Sequence, residues 1–235
     1  MAKALKTVFE EKNIEISEKQ LELFEGYRHL LLEKNKVMNL TAIEEEEEVN
    51  YKHFLDSVLP LTMVDIKKGA SFIDIGTGAG FPAIPMKIMR PDIKMTLLDS
   101  LNKRIRFLEE VNEDLSLGVE NLIHGRAEEL GRQSKYREQF DIVIARAVSQ
   151  LNTLSEYALP FVKPGGYFIA MKGPKAEEEI AAGENAVKLL NGKIELVKEY
   201  SLTGEEERTL ILIKKTGNTA KKYPRGGGKP KKAPL

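Results

Sequence analysis

Cysteine is absent from this chain of 235 residues. That excludes disulfides, thiolate metal sites and any cysteine nucleophile, and it fits a reducing cytoplasm. Long apolar runs are also missing, so nothing in the sequence predicts a bilayer span. The opening Met1-Ala2-Lys3-Ala4-Leu5-Lys6 lacks the apolar core of a secretory signal. No internal repeat is evident, and the length suits one good-sized core or a core with a small appended subdomain.

Net charge is missing too, at zero by formal count, but the average conceals a segregation. From Arg208 to Leu235 there are nine Lys and Arg and no Asp or Glu. That leaves 27 basic against 36 acidic residues in positions 1–207. A basic end on an acidic body is suited to a polyanion, and its other reading is a solubilising, disordered terminus.

Residues 1–65 read as a helical region packed on the core. Ser17-Glu18-Lys19-Gln20 is a capping-box pattern followed by Leu21, Phe24, Tyr27 and Leu31 near helical spacing. A second box, Thr41-Ala42-Ile43-Glu44, predicts a helix through Val49, His53 and Phe54 towards Pro60. The acidic run Glu44 to Glu48 then occupies its first turns as a solvated face rather than a metal site. Residues 66–215 alternate strand-like and helical runs. Strands are predicted at Ser71 to Ile75, Lys94 to Leu98, Val119 to Ile123, Phe140 to Ala145 and Tyr167 to Met171. Helices are predicted at Phe81 to Met89, Asn102 to Val111 and Leu151 to Val162, the last followed by a turn at Lys163-Pro164-Gly165-Gly166. Late strands at Lys193 to Glu199 and Arg208 to Lys214 close the domain. The alternation predicts an α/β fold, a doubly wound and mostly parallel sheet with an N-terminal helical extension. Residues 216–235 lack a core pattern and read as a flexible basic tail.

Three strand ends carry the chemistry. Gly76, Gly78 and Gly80 follow the first strand, where a parallel sheet binds its ligands. Their Gly-x-Gly-x-Gly spacing is one residue tighter than the dinucleotide fingerprint, which favours a ligand without a pyrophosphate. Asp74, just before the loop, offers a carboxylate to a cationic amino-acid end. Asp99 ends the second strand and is placed to accept hydrogen bonds from a ribose, with Ser100 beside it. Either residue has the alternative of capping the helix near Asn102. Arg126-Ala127-Glu128 follows the third strand, where an adenine ring would lie. These features point to an S-adenosylmethionine-dependent methyltransferase. A nicotinamide-dependent oxidoreductase, a methyltransferase of small molecules or proteins, and a non-catalytic RNA-binding factor remain alternatives.

Missing residues narrow the acceptor. Pyrimidine C5 methylation needs a cysteine nucleophile. Methylation of the adenine amino group relies on an Asn/Asp-Pro-Pro-aromatic motif after the fourth strand, where this chain reads Ala145-Arg146-Ala147-Val148. Arg146 stays protonated and cannot act as a base. It suits an acceptor needing no deprotonation, such as N7 of guanine; its alternative is a surface ion pair. No catalytic residue is assigned, and Arg146 is the candidate for orienting the acceptor.

The chain resembles the ribosomal RNA small-subunit methyltransferase G family, also called glucose-inhibited division protein B. The resemblance rests on Met38 to Thr41, His53 to Ser57, Phe72 to Pro82, Leu98 to Arg104 with Phe107-Leu108, Arg126 to Glu128, Ala145 to Ala147, and Lys221 to Arg225. It implies a Rossmann-like enzyme methylating N7 of one guanine in the 530 loop of 16S rRNA. It also implies that Gly76, Phe81, Ala127, Glu128 and Arg146 contact S-adenosylmethionine while Asp99 holds its ribose. Candidate RNA contacts are Asn39, His53, Lys103, Arg104, Arg146, Lys172, Lys221, Lys222 and Arg225. For His53 a packed or capping role is the alternative, and for Lys103 and Arg104 an exposed helix face. The expected partner is 16S rRNA, the small ribosomal subunit or its assembly intermediate, met by a cytoplasmic monomer without metal or membrane.

Overall fold

Five apolar runs form parallel strands: β1 (Ser71–Ile75), β2 (Lys94–Asp99), β3 (Asn121–His124), β4 (Phe140–Arg146) and β5 (Val162–Lys172). Two further strands, β6 (Gly192–Ser201) and β7 (Glu207–Lys215), form a hairpin that joins antiparallel to β5. The seven-stranded order is β3-β2-β1-β4-β5-β7-β6 in this computed structural model, which describes residues 4–146, 149–204 and 206–235. Ala147 and Val148, part of the segment read after the fourth strand, lie outside the described residues. The chain steps outward from β1 to β3 and then returns to β4, so β1 and β4 flank the switch point of the sheet. Crevices beyond such a point are where open α/β sheets bind ligands.

The expected α/β architecture is present, with differences that have local causes. The predicted helix Leu151 to Val162 is shorter: α9 (Leu151–Ala158) passes into a 3-10 turn at Leu159–Phe161, and Val162 already pairs in β5. Lys163 to Gly166, read as a turn, therefore lies inside β5, with Gly165 at φ 86° where the β4–β5 register shifts. A helix without a predicted counterpart, α10 (Ala176–Leu189), packs on α9. Its contact residues are small, and a Cβ on Gly183 would stand 3.0 Å from Leu151. Such a stripe is a weak hydrophobic signal.

The N-terminal helices are α1 (Leu5–Glu10), α2 (Glu18–Met38), α3 (Glu46–Glu48), a π-helical stretch at Val49–Leu55, α4 (Asp56–Val58) and α5 (Pro60–Met63). Ser17 and Gln20 complete the predicted capping box reciprocally. The second predicted box does not form. Asn35 takes over that turn by accepting from the Leu40 and Thr41 amides, while its own amide donates to Glu44. The helix consequently starts at Glu46, two residues beyond the box. Phe24, Tyr27, Leu31 and Phe54 merge with residues of α6 (Ala83–Met89) and α7 (Asn102–Asp114) in one core on this face of the sheet. On the opposite face, α9 and α10 cover a second core.

Residues 216–235 enter that second core rather than hanging free. Tyr223 is buried in it, and Arg137 donates to the carbonyls of Thr219 and Tyr223. Lys215 is wholly buried, bonded to the Leu159 carbonyl and the Thr219 hydroxyl, and burial lowers its pKa to about 8. The flexible reading followed composition, whereas the docking rests on one aromatic and a few specific hydrogen bonds.

Candidate active site

The glycine loop is held from three directions. The amides of Gly76 and Thr77 both donate to the Leu98 carbonyl of β2. The Gly78 amide donates to Asp99 at 2.9 Å, and Tyr27 of α2 donates its hydroxyl to the Ala79 carbonyl at 2.6 Å. Gly76 and Gly78 have φ of 70° and 63°, which a side chain would oppose. Gly80, expected to contact a cofactor, turns with a φ of 104°. A Cβ there would stand 2.6 Å from Ile84 and 2.8 Å from Leu108, so its bareness serves packing.

A cavity of about 190 Å³ opens beside this loop, lined by Gly76, Asp99, Ser100, Ala127, Glu128 and Tyr157 among others. Three strand ends and the short helix α8 (Ala127–Leu130) build it. Asp99 is buried and neither it nor Ser100 caps α7, whose N-cap is Leu101. Its two oxygens receive the amides of Gly78 and Leu101, and Arg104 approaches at 3.3 Å. Arg104 is thereby drawn towards the carboxylate rather than to a distant surface. Asp74, at the end of β1, is completely buried. One of its oxygens accepts from Thr77, and the other has no hydrogen-bond partner among the described residues. Burial pushes its pKa up to about 7, against the Thr77 hydroxyl, the Ala83 amide and Arg146, which favour ionisation.

A second concavity, about 600 Å³, lies on the β4 side and is lined by Lys52, His53, Asp56, Arg146, Lys172 and Tyr200 among others. Arg146 belongs here and does not line the smaller cavity. It donates to Asp56 at 2.8 Å, to the Lys52 carbonyl at 2.9 Å and to His53 Nδ1 at 3.3 Å. The Tyr200 hydroxyl donates to the other Asp56 oxygen at 2.9 Å. Lys52 and His53 sit in the π-helical stretch, a widened turn often found where a helix serves a site. A guanidinium can only donate, so His53 Nδ1 carries the lone pair and Nε2–H donates to Thr41 Oγ1 at 2.7 Å. Burial, then the adjacent Arg146, lower the His53 pKa to about 3. His53 stacks on Phe81 with centroids 4.3 Å apart, and the Arg146 guanidinium lies 5.1 Å from the same ring. Phe81 thus joins the end of the glycine loop to this cleft.

The other predicted contacts scatter. Lys172 is buried, paired with Glu179 at 2.7 Å and bonded to the Ser149 carbonyl. Lys103 donates to the Met38 carbonyl, tying α7 to α2. Asn39 is the exposed left-handed C-cap of α2. Lys221 and Lys222 are exposed, while Arg225 grips buried Glu156 through two nitrogens. Asp56, Tyr200 and Glu156 had no assigned role. Only the position of Asp56, three residues after His53, hinted at a shared helix face.

The family model of rRNA small subunit methyltransferase G matches residues 20–211. This chain belongs to that family. A ribosomal RNA small subunit methyltransferase G from Lactobacillus acidophilus is 53% identical over 228 residues, covering 95% of this chain and 94% of that protein. Among solved structures, a SAM-dependent methyltransferase from Aquifex aeolicus shares the fold with a TM-score of 0.56 at 18% identity, over 74% of this chain and 96% of its own. Aeropyrum pernix fibrillarin, solved with S-adenosyl-L-methionine bound, does so with a TM-score of 0.53 at 18% identity, over 69% and 75%. The chain is accordingly an rRNA methyltransferase with a Rossmann-like sheet, and among the described residues no helix is long and apolar enough to cross a membrane.

Proposed function

We propose that this enzyme uses S-adenosylmethionine to methylate N7 of a guanine in the 530 loop of 16S rRNA, as a monomer in the cytoplasm. The small cavity fits the nucleoside end of the cofactor, with Asp99 at the ribose and Ala127 and Glu128 towards the adenine. Asp74 lies buried behind the loop, and its unpartnered oxygen suits an ammonium group reached directly or through a bridging water, which would also favour the ionised carboxylate. When bound, S-adenosylmethionine supplies a methyl group on an electrophilic sulfonium.

The observation that carries the choice of acceptor is that the titratable side chains described in the cleft are each engaged by a partner within the protein. His53 turns its lone pair to Arg146, and both Asp56 oxygens are occupied. Lys52 is paired with Glu48 and Glu206, and Lys172 with Glu179. N7 of guanine requires no base, because its lone pair lies free in the ring plane. The protein then accelerates transfer by holding the two reactants in line within a site that excludes water. Three of the five N–H groups of Arg146 are used by protein acceptors. The remaining two are suited to the guanine O6 beside N7. Asp56 offsets the guanidinium charge, so the ring that becomes cationic on methylation meets no uncompensated positive group.

Mapping 16S rRNA by mass spectrometry from cells with and without the gene tests this reading. The gene should account for one methyl group on one guanine of the 530 loop. An unmodified guanine in both strains would sink it, and would favour a non-catalytic binding factor.

A further inference from the structure

The basic C-terminal segment is docked on the body of the protein. Arg225 donates from its backbone amide and its guanidinium to Glu156, a residue of α9 with no solvent exposure. The same guanidinium donates to the Ala233 carbonyl, closing residues 225–233 into a loop. Pro230 is buried, and its carbonyl accepts from Thr153, one turn from the start of α9. The start of α9 follows Ser149 and Gln150, which line the arginine cleft. The loop includes the short helix α11 (Lys229–Lys232). Lys229, Lys231 and Lys232 of α11, with Lys221 and Lys222 earlier in the segment, are exposed. None of these five forms an ion pair with a described residue. Exposed Arg132 extends the patch, its guanidinium lying about 3.1 Å from where a Cβ on Gly226 would stand.

We propose that this docked segment is a preformed phosphate-binding surface for the RNA chain flanking the target base, with Arg225 as its latch rather than an RNA ligand. Unpaired lysines held in fixed positions neutralise phosphates without the ordering cost of a disordered tail. Arg225 commits three of its five N–H groups to Glu156 and Ala233, so its first part is to hold the lysines in place. The Glu156 clamp also joins this surface to α9, whose Tyr157 lines the glycine-loop cavity. The proposal rests on the reading of 16S rRNA as the substrate.

The test uses the full-length protein and an RNA fragment carrying the 530 loop, with affinity measured against salt. The triple substitution Lys229→Ala, Lys231→Ala, Lys232→Ala touches only exposed side chains. It should lower the slope of log affinity against log salt by about 2–3, at roughly 0.7–0.9 per phosphate contact, with S-adenosylmethionine affinity unchanged. Wild-type slope in the triple variant would overturn the surface. Failure of the wild-type protein to bind this fragment would instead remove the substrate reading beneath it. Arg225→Ala should raise hydrogen exchange across residues 223–233 and weaken RNA binding although every lysine remains. Raised exchange with undiminished RNA binding would overturn the latch. If that variant fails to fold, the lysine variant still decides the surface.

Discussion

The glycine-loop cavity and the arginine cleft share one edge of the sheet but are assembled over different ranges of the chain. Three short segments, 75–76, 98–100 and 125–128, make most of the first, and the loop beside it is tied by a contact between residues 21 apart, Gly78 to Asp99. The second depends on pairs 90 and 144 residues apart, Arg146 with Asp56 and Tyr200 with Asp56. Backbone geometry dominates the cavity, through positive φ angles and amides aimed at carbonyl and carboxylate oxygens. Charged side chains locked to one another dominate the cleft. A site of the first kind tolerates change in neighbouring side chains, whereas in the second each group depends on its partner.

That contrast is most exposed at Asp56. Asp56→Ala leaves Arg146 partly buried without its counter-ion, which should cost about 3–5 kcal/mol of stability in denaturant unfolding. Misplacing the guanidinium should also lower kcat about 100-fold while S-adenosylmethionine still binds with its wild-type affinity. Equal loss of cofactor binding would show that the two regions are not separable. Asp99→Ala is the converse. Cofactor affinity measured by calorimetry should fall by about 1.5–3 kcal/mol, with RNA affinity retained; an unchanged value would remove the ribose role.

Tyr200→Phe deletes one hydroxyl from the Asp56 pair. A loss of about 1.5 kcal/mol in stability and a fall in kcat are expected, with no change in cofactor affinity. A pure stability effect would make Tyr200 a packing residue only.

Asp74 and His53 respond to pH with opposite sign. Asp74 is held at about 7 by burial, so the folded protein keeps a proton that the unfolded chain releases near its ordinary value. Stability therefore falls as pH rises from about 4 through 7. Between pH 6 and 8 this group contributes a loss of about 1 kcal/mol, and Asp74→Asn should flatten that part of the profile. His53 acts with the opposite sign. Its lowered pKa contributes stability that is present above 6.5 and lost as pH falls towards 3. An Asp74→Asn profile identical to wild type would contradict the buried, unpaired carboxylate.

Most of the sheet and the cavity could be read from local pattern, because alternating apolar runs, a tight glycine spacing and an acid after a strand are written within a few residues. Three features could not. Asn35 displaced the Thr41 box because its amide reaches two backbone groups and Glu44 at once, a tertiary solution that no box pattern encodes. The role of Asp56 appears only when β4 and β6 bring Arg146 and Tyr200 to it. The C-terminal segment has the composition of a solvated tail, and only buried Glu156, distant in sequence, explains why Arg225 is docked.

Methyl transfer from labelled S-adenosylmethionine to a 530-loop RNA in which the target guanine carries carbon in place of N7 tests the acceptor atom directly. The unsubstituted RNA should accept one methyl group per molecule and the substituted RNA none. Undiminished labelling of the substituted RNA would contradict N7 as the acceptor and the engaged side chains of the cleft as its explanation.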